Sequence, residues 1–243
     1  MKTKYLERLN NLADKQGFST SGKTLQRKVD YIRHNLGEYI SKPAKGNVTV
    51  LEVGPGLGEL VQYLNGLKIY SIDVIDNDQS ILKSINSKYK IRRAIFSNDI
   101  INQKKFLGTY DLVVMIQVLE HIPISKQKEV IKTLFQHLNR AGQILIVVPN
   151  ANNPLGVVER YADYQHTIAF TEPSLTDLVH NSILGKFELK IKGFEIPPYG
   201  AINPLRIILQ KILHLILLCL LIINGGVFFK IMTPNIMVVI TKK

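Results

Sequence analysis

The sequence predicts an α/β protein built on one doubly wound sheet. Short apolar segments alternate with amphipathic helical segments between residues 48 and 149. The apolar segments are hydrophobic throughout rather than at every second position, which is typical of parallel strands covered on both faces. Right-handed crossovers then place helices on both sides of the sheet. A chain of 243 residues is long enough to bury such a core.

The elements are expected in a regular order. Predicted strands cover residues 48–53, 69–75, 91–96, 110–116 and 143–149, and predicted helices cover 23–40, 58–64, 78–87 and 126–138. After Asn150 the alternation stops. Residues 151–171, rich in Asn, Pro, Tyr and His, are predicted to cover a site, and a helix over 173–184 and a strand over 187–196 follow.

Charge and composition divide the chain into three predicted parts. Residues 1–45 form a basic, mostly helical lead-in, residues 46–200 form the core, and residues 201–243 hold an apolar helix and a final strand over 236–240. The formal net charge of +12 is compatible with acidic partners such as nucleic acid, anionic lipid headgroups or phosphorylated substrates. It is equally compatible with solubilising surface lysines.

The single cysteine limits the classes of protein that the chain can belong to. Cys219 alone excludes an internal disulfide framework and a cysteine-based zinc cluster. A reducing compartment is the simplest context. Residues 1–15 are charged and have no apolar core, so they are not a secretory signal, and a cytoplasmic location is expected.

A glycine-rich loop, GPGLG over residues 54–58, lies where the first strand meets the following helix. Ligands of open α/β sheets bind at this turn, where glycines allow close approach and the helix N-terminus offers free N–H groups. The G-x-G-x-G spacing differs from the G-x-G-x-x-G of nicotinamide dinucleotide folds. Glu52 precedes the loop, and an acid there favours a cationic ligand such as S-adenosylmethionine. A tight turn without a ligand is the alternative.

Polar side chains follow the next strands at positions that suit the same ligand. Asp76 closes the second strand, where a carboxylate can accept both ribose hydroxyls, and Asp99 follows the third strand, where it can accept an adenine amino group. Gln117 ends the fourth strand at the same rim. Asp73 competes for the ribose role, but it lies inside the second strand and therefore ranks below Asp76.

Four segments resemble the class I S-adenosylmethionine-dependent methyltransferases. VLEVGPGLGEL over 50–60 is similar to their first motif. YDLVVMIQVLEHIP over 110–123 and GQILIVVPN over 142–150 resemble the fourth and fifth strands of the branch that includes ubiquinone-biosynthesis enzymes. YQHTIAFTEPSLTDLV over 164–179 is similar to a segment of bacterial members often encoded with surface-glycan genes. The resemblance covers roughly 48–196 and implies a seven-stranded, Rossmann-like sheet.

The resemblance also implies how the cofactor is held. It implies that the residues of the first motif surround the methionine part, that the second strand's end binds the ribose, and that Asp99 with Ile100 binds the adenine. Gln117 would lie near the methionine part. The implied cofactor residues are Glu52, Gly54, Pro55, Gly56, Gly58, Asp76, Asn77, Asp99, Ile100 and Gln117.

Two histidines are candidates for the base that removes a proton from a hydroxyl acceptor. His121 follows the fourth strand beside the cofactor rim, and His166 lies in the segment that is predicted to cover the site. Histidine titrates near neutrality and can therefore accept a proton there. A structural role is the alternative for each. Glu120, Tyr161 and Tyr164 are predicted acceptor-side residues, and no metal site is predicted because no segment has zinc-ligand spacing.

Residues 205–223 form a long apolar stretch. Arg206, Gln210 and His214 recur every four residues and predict a polar stripe on one helical face. Three interpretations are open: a helix in a membrane interface, a buried crossover helix, and a membrane span. A span conflicts with the return of the final strand to the sheet. Contact with the inner membrane surface through 205–223 is therefore expected.

These features together predict a methyltransferase that methylates an oxygen of a glycan, a lipid-linked sugar or another small lipid-like acceptor. The basic charge leaves open an RNA methyltransferase, but no RNA-binding motif is recognisable and nucleic acid is not the expected partner. A non-catalytic module that binds S-adenosylmethionine is disfavoured because Glu52, Asp76 and Asp99 are all present. A nicotinamide oxidoreductase is disfavoured by the glycine spacing.

Overall fold

The structure, a computed structural model, describes residues 22–40, 48–68, 70–103, 107–226 and 229–243. The helices are α1 (Gly22–Ile40), α2 (Glu59–Leu67), α3 (Gln79–Lys88), α4 (Ile124–Gln136), α5 (Val157–Ala162), α6 (Glu172–Ser182) and α7 (Asn203–Gly225). The strands are β1 (Val48–Val53), β2 (Tyr70–Asp76), β3 (Arg93–Phe96), β4 (Tyr110–Ile116), β5 (Leu138–Pro149), β6 (Phe187–Gly193) and β7 (Asn235–Lys242). Short 3₁₀ helices cover Ile101–Gln103, Leu119–His121 and Pro154–Gly156.

Within these ranges, seven strands form one sheet in the order β3-β2-β1-β4-β5-β7-β6. Strands β1 to β5 are parallel, whereas β7 is antiparallel to both β5 and β6. The strand order reverses between β1 and β4, at the kind of switch point where doubly wound sheets bind ligands. The predicted seven-stranded fold is confirmed, with the refinement that the sheet is mixed because β7 enters between β5 and β6.

Apolar helix faces cover both sides of the sheet. One side is packed by α4 and α6, through residues such as Ile131, Leu134 and Val179. The other side is packed by α1, α2 and α3, and Leu36 of α1 is fully buried there. The only part of the predicted 1–45 lead-in within the described residues is α1. It packs onto the core, because its apolar residues recur every three to four positions on one face.

The observed bounds of the elements agree best with the predicted ones where an apolar segment begins and ends abruptly in the sequence. Strands β1 and β4 have the predicted bounds. Strand β5 begins at Leu138 instead of the predicted residue 143, because Leu138 already pairs with Tyr110 before a register shift. Helix α5 was not predicted, since its six residues are too few to show a helical period.

Helix α7 stands apart from the other helices in its burial. None of its residues is buried, and its mean hydropathy over the most apolar window is 2.3. By length and composition it is long enough to cross a membrane. The interpretation as a buried crossover helix is therefore wrong, because a crossover helix would bury an apolar stripe against the sheet.

Candidate active site

An open cleft of about 1380 Å³ lies at the carboxyl ends of β1, β2 and β4, beside the switch point of the sheet. Most predicted site residues line this cleft: Glu52, Gly54, Pro55, Gly56, Asp76, Asn77, Asp99, Ile100, Gln117, His121, Tyr161 and Tyr164. Three other predicted residues, Gly58, Glu120 and His166, lie outside the lining. The fold thus brings together residues that the sequence separates by more than 100 positions.

The glycine loop presents bare backbone to the cleft. Gly54 and Gly56 have left-handed φ values of +70° and +54°, a conformation that L side chains rarely adopt. A Cβ on Gly54 would lie 2.5 Å from Cγ2 of Val118, far inside normal contact distance. Glycine is therefore required at this position by both the backbone and the neighbouring side chain.

Gly58 serves helix packing rather than the cleft surface. It is the residue before α2 and has a φ of +91°. A Cβ there would lie 2.5 Å from Cε2 of Tyr89 and 2.7 Å from Cδ1 of Ile85. The third glycine of the motif thus allows α2 to pack closely against α3, and its predicted contact with a cofactor stays a prediction.

Glu52, the penultimate residue of β1, is a buried carboxyl at the base of the cleft, only 4% exposed. Among the described residues its Oε2 has no hydrogen-bond partner. Burial raises the pKa of Glu52 well above its ordinary value, and the carboxylates of Glu59 and Asp76 raise it further. A buried acceptor without a donor costs free energy, so this position is suited to a cationic ligand group.

Asp76 ends β2 at the cleft, as predicted. Its Oδ1 accepts a hydrogen bond of 2.8 Å from the backbone N–H of Asp78, which itself caps α3. Burial raises the pKa of Asp76 to about 6. A carboxylate can accept several hydrogen bonds, so Asp76 keeps capacity for ligand hydroxyls.

Asp73 has a structural role instead of the competing ribose role. It is fully buried and accepts hydrogen bonds of 2.7 Å from Arg92 Nε, 3.0 Å from Arg93 Nε and 2.8 Å from the Tyr110 hydroxyl. Burial alone would raise the pKa of Asp73, but the hydrogen bonds from Arg92, Arg93 and Tyr110 outweigh burial and lower it. Asp76 lines the cleft and Asp73 does not, which agrees with the prediction that Asp76 is the better candidate for the ribose role.

Asp99 follows β3 and lines the cleft beside Ile100. Lys126 of α4 lies 2.7 Å from its Oδ2, and the backbone N–H of Ile101 donates to its Oδ1 at 3.0 Å. The hydrogen bond from Lys126 lowers the pKa of Asp99. A carboxylate ionised in this way is an acceptor for an amino group at this end of the cleft.

Gln117 lies in an unusual conformation at the end of β4. Its φ is +55°, although it is not glycine, and such strain costs about 1–3 kcal/mol and clusters at functional sites. Its Nε2 donates to Oδ1 of Asn235 at 2.7 Å. Asn235, which begins β7 and lines the cleft, was missed by sequence reasoning because only the pairing of β7 with β5 brings it there.

Glu120, His121 and His166 form a compact cluster at one end of the cleft. Glu120 is fully buried, and both histidines are half-buried. The two imidazole rings meet edge to face with centroids 4.6 Å apart. Thr167 holds the two segments together, because its backbone N–H and its hydroxyl both donate to the carbonyl of Glu120, at 2.8 and 2.9 Å.

The two predicted acceptor-side tyrosines lie at the open mouth of the cleft. Tyr161 is 74% exposed and Tyr164 is 88% exposed. The guanidinium of Arg160 lies 5.1 Å from the centre of the Tyr161 ring. Tyr161, Tyr164 and Gln165 thus line one side of the cleft, and the covering role predicted for residues 151–171 stays a prediction.

Helix α1 also contributes to the cleft, which sequence reasoning missed. Lys28 and Tyr31 line it, and Lys28 Nζ lies 2.9 Å from Glu59 Oε1. The helical period of this segment predicted only its buried face. Its placement over the glycine loop depends on tertiary packing against α2, for which the sequence carries no local signal.

Comparison with protein families gives a match over most of the described core. The family model described as "Methyltransferase domain" matches residues 22–182. No curated protein matches the chain.

Several solved structures share the fold. A SAM-dependent methyltransferase from Archaeoglobus fulgidus is 21% identical, with a TM-score of 0.65 over 96% of this chain and 99% of its own. The plantazolicin methyltransferase BamL, in complex with a triazolic desmethylPZN analog and SAH, is 16% identical, with a TM-score of 0.62 over 97% and 90%. A putative methyltransferase in complex with the Haloferax volcanii Trm112 activator is 9% identical, with a TM-score of 0.63 over 91% and 94%. At these identities the likeness establishes the fold.

Proposed function

The chain belongs to the methyltransferase-domain family, and from that premise we propose that it transfers a methyl group from S-adenosylmethionine to an oxygen of a glycan, a lipid-linked sugar or another small lipid-like acceptor. The observation that carries the cofactor assignment is the buried Glu52 carboxyl beside the bare glycine loop. The acceptor class rests on the exposed apolar helix α7.

The residues of the cleft fit S-adenosylmethionine. The Glu52 carboxyl suits the ammonium group of the methionine part, since a cation there offsets the cost of burying the acid. Gly54 and Gly56 keep the left-handed backbone of the loop, which lines the cleft without side chains at these two positions. Asp76 would accept hydrogen bonds from the ribose hydroxyls, Asp99 would accept from the adenine amino group, and Gln117 would lie near the methionine part.

S-adenosylmethionine supplies a methyl group on a sulfonium centre that is already strongly electrophilic. The tasks left to the chain are to hold the acceptor oxygen in line, to exclude water and to accept the hydroxyl proton. Positioning of this kind is worth about 7–11 kcal/mol, and a positioned base about 10²–10⁴-fold in rate. We assign proton removal to the pair His121 and His166, because His121 lines the cleft and the His166 ring contacts the His121 ring.

Calorimetry with S-adenosylmethionine tests the cofactor assignment. Saturable binding is expected for the wild type, and Glu52→Gln should weaken it about 10–100-fold, because a hydrogen bond to an ionised group contributes about 1.5–3 kcal/mol. Without ligand the same variant should be at least as stable as the wild type near neutral pH. The raised pKa means that ionised Glu52 opposes folding above the ordinary range of a glutamate. Equal affinity in both proteins, or tighter binding of a nicotinamide dinucleotide, would contradict the assignment.

The exposed face of α7 supports a membrane-associated acceptor. Ile208, Leu209, Ile212 and Ile216 are each more than half exposed, whereas the polar Gln210 and His214 are half-buried. Glu195 lies close enough to interact electrostatically with His214, so Gln210 and His214 lie on the side of α7 that is nearer the protein, whereas Arg206 of the predicted stripe is exposed. A large exposed apolar surface is rare on a soluble monomer and marks an interaction site. We therefore place the protein at the inner face of the cytoplasmic membrane, with α7 in the interface.

Chain reach favours an interfacial helix over a spanning one. Asn203 is tied to the carbonyl of Pro197, and Asn150 holds the carbonyls of Ile231 and Thr233 at the sheet. The helix ends at Gly225, so about six residue steps, or roughly 20 Å, separate its end from Ile231. That length cannot recross a hydrocarbon core of about 30 Å.

Flotation of the full chain with vesicles tests this placement. We expect co-migration with vesicles that contain phosphatidylglycerol, and its loss when Leu209, Ile212 and Ile216 are all changed to Gln. Leu184→Gln, an exposed leucine outside α7, is the control and should leave flotation unchanged. Failure of the wild type to float would contradict the placement. Salt-dependent RNA binding would instead favour an RNA acceptor.

A further inference from the structure

The cluster of Glu120, His121 and His166 adds a buried carboxylate to the two histidines that are proposed to transfer the proton. We propose that these three side chains bind a divalent transition-metal ion of the Zn²⁺ class at the acceptor end of the cleft. The inference deepens the proposed function and rests on it for the ion's role, because the ion would bind the acceptor oxygen. Binding of the ion itself depends only on the three side chains.

The geometry of the three ligand atoms supports the site. One carboxylate oxygen and one nitrogen from each imidazole all lie within 4.8 Å of one another. Ligands of tetrahedral zinc, at about 2.0–2.1 Å from the ion, are about 3.3 Å apart. The remaining difference of at most about 1.5 Å would be closed by rotation of the three side chains about their χ angles.

The backbone that carries the ligands is held firmly. Gln127 donates to the carbonyls of Leu119 and Ile122, which bracket the 3₁₀ turn that contains Glu120 and His121. Thr167, next to His166, fixes the second segment to the carbonyl of Glu120. These bonds place His166 against a turn 45 positions earlier in the chain. Ligands fixed before the ion arrives lose little conformational freedom when it binds.

The donor set selects the type of ion. Two imidazole nitrogens and one carboxylate suit Zn²⁺ and its neighbours, whereas Mg²⁺ and Ca²⁺ prefer oxygen ligands alone. The carboxylate of Glu120 is fully buried, and coordination of a cation would stabilise its ionised form. Three protein ligands also leave a fourth position open, which is the arrangement of catalytic rather than structural zinc.

The open position has access to the cleft. Among the three ligands, His121 lines the cleft, together with Tyr161, Tyr164 and Gln165. An acceptor hydroxyl that enters past the tyrosines would therefore reach the ion. With the ion bound, both imidazoles serve as ligands instead of as bases, and the cation favours loss of the hydroxyl proton to water, so that the oxygen is ionised before it attacks. Acceptors with a second oxygen on the neighbouring carbon, such as sugar diols, also suit this site, because zinc can expand from four to five ligands and then bind both oxygens.

This inference departs from the sequence-based expectation that no metal binds. Glu120 and His121 are adjacent, and the third ligand follows only after 45 residues, so no zinc spacing is visible in the chain. The site exists only because the segment after α5 folds back onto the turn after β4.

Metal titration of the full chain, made without a histidine tag, tests the proposal. Saturable binding of one Zn²⁺ per chain is expected, and one bound Co²⁺ should give the visible absorption of a low-coordinate site. Glu120→Gln and His166→Ala should each weaken binding at least about tenfold, since even indirect disturbance of metal ligands costs 10–100-fold. His180→Ala removes an exposed histidine elsewhere and should leave the affinity unchanged. Absence of saturable binding, or equal affinity in all four proteins, would overturn the proposal.

Calorimetry with S-adenosylmethionine on the same proteins separates the two proposals. Cofactor binding retained by Glu120→Gln shows that the variant is folded, so its loss of Zn²⁺ binding is read as loss of a ligand. Stoichiometric Zn²⁺ binding without methyl transfer to any oxygen acceptor would sink the proposed function and leave the metal site standing. Methyl transfer at an undiminished rate after chelation, by protein that binds no Zn²⁺, would refute the metal site alone.

Discussion

The two sides of the cleft are built in different ways. The cofactor side, formed by Glu52, the 54–58 loop, Asp76 and Asp99, consists of residues at the carboxyl ends of parallel strands or within a few residues after them. The acceptor side, formed by Glu120, His121, Tyr161, Tyr164 and His166, joins a 3₁₀ turn to a segment more than 40 residues later. The cofactor side is thus positioned by the sheet itself, and the acceptor side by a few specific hydrogen bonds. Substitutions on the two sides should therefore differ in how strongly they lower the affinity for the cofactor, which can be measured for every variant.

The largest expected effect is that of Gly54→Ala. The new Cβ would lie 2.5 Å from Val118 Cγ2, and the left-handed backbone costs alanine about 1–2 kcal/mol in stability. We expect cofactor affinity to fall about 10²-fold, the equivalent of about 2.8 kcal/mol, because the loop must move away from Val118 and then no longer fits the cofactor. Gly66→Ala in α2 is the control: its Cβ would point into open space, so neither stability nor cofactor affinity should change much.

The double variant Gly54→Ala, Val118→Ala sharpens the same test. Val118 precedes the turn that carries Glu120 and His121, so it connects the two sides of the cleft. Removal of its methyl groups should restore part of the affinity if steric contact is the main cause. No recovery in isothermal titration would assign the loss to backbone strain.

The next effect is the pH dependence of cofactor binding through Asp76. Its pKa is raised to about 6 by burial, so protonation below pH 6 removes an acceptor for the ribose hydroxyls. Affinity should therefore be about tenfold lower at pH 5 than at pH 7, since one pH unit below the pKa leaves about one tenth ionised. Asp76→Asn should bind more weakly at pH 7 and show a much flatter profile. A wild-type profile that is flat between pH 5 and 7 would contradict the assignment of Asp76.

A smaller effect on cofactor affinity is expected for Asp73→Asn, only three residues away. Its partners are Arg92, Arg93 and Tyr110, so its loss should lower the free energy of unfolding by about 1–3 kcal/mol and change cofactor affinity less than about threefold. The lowered pKa means that ionised Asp73 contributes stability above an ordinary pKa of 3.8, and that this is lost as the pH falls through the folded value. The stability difference from the wild type, measured in urea, should accordingly shrink in acid. A large loss of cofactor affinity would place Asp73 in the site after all.

The smallest effect is expected in α7. Ile208→Gln or Ile212→Gln should change the free energy of unfolding by no more than about 0.5 kcal/mol in vesicle-free buffer, because both side chains are exposed. Leu145→Ala, in the buried centre of β5, should cost about 2–5 kcal/mol by comparison. Urea titrations of the three variants measure both values. A loss above about 2 kcal/mol in α7 would mean that another surface of the protein covers the helix.

Most of the fold was predictable because its signals are local. Each of these features can be recognised from a few consecutive residues: the apolar strands β1 and β4, and the glycine loop between β1 and α2. The family match confirms the predicted methyltransferase class. By contrast, the direction of β7 and the short helix α5 have no local signal, since neither a strand's direction nor a six-residue helix has a distinct periodicity.

The sequence by itself determined the layered sheet, the glycine loop and the acids at the strand ends, because each depends on residues close together in the chain. Tertiary structure alone decided that Asp73 is structural, that Asn235 meets Gln117, and that no residue of α7 is buried. It also decided that His166 joins Glu120 and His121. The physical reason is that side-chain partners across the sheet and between loops are chosen by packing and hydrogen bonding over long sequence distances, which periodicity does not encode.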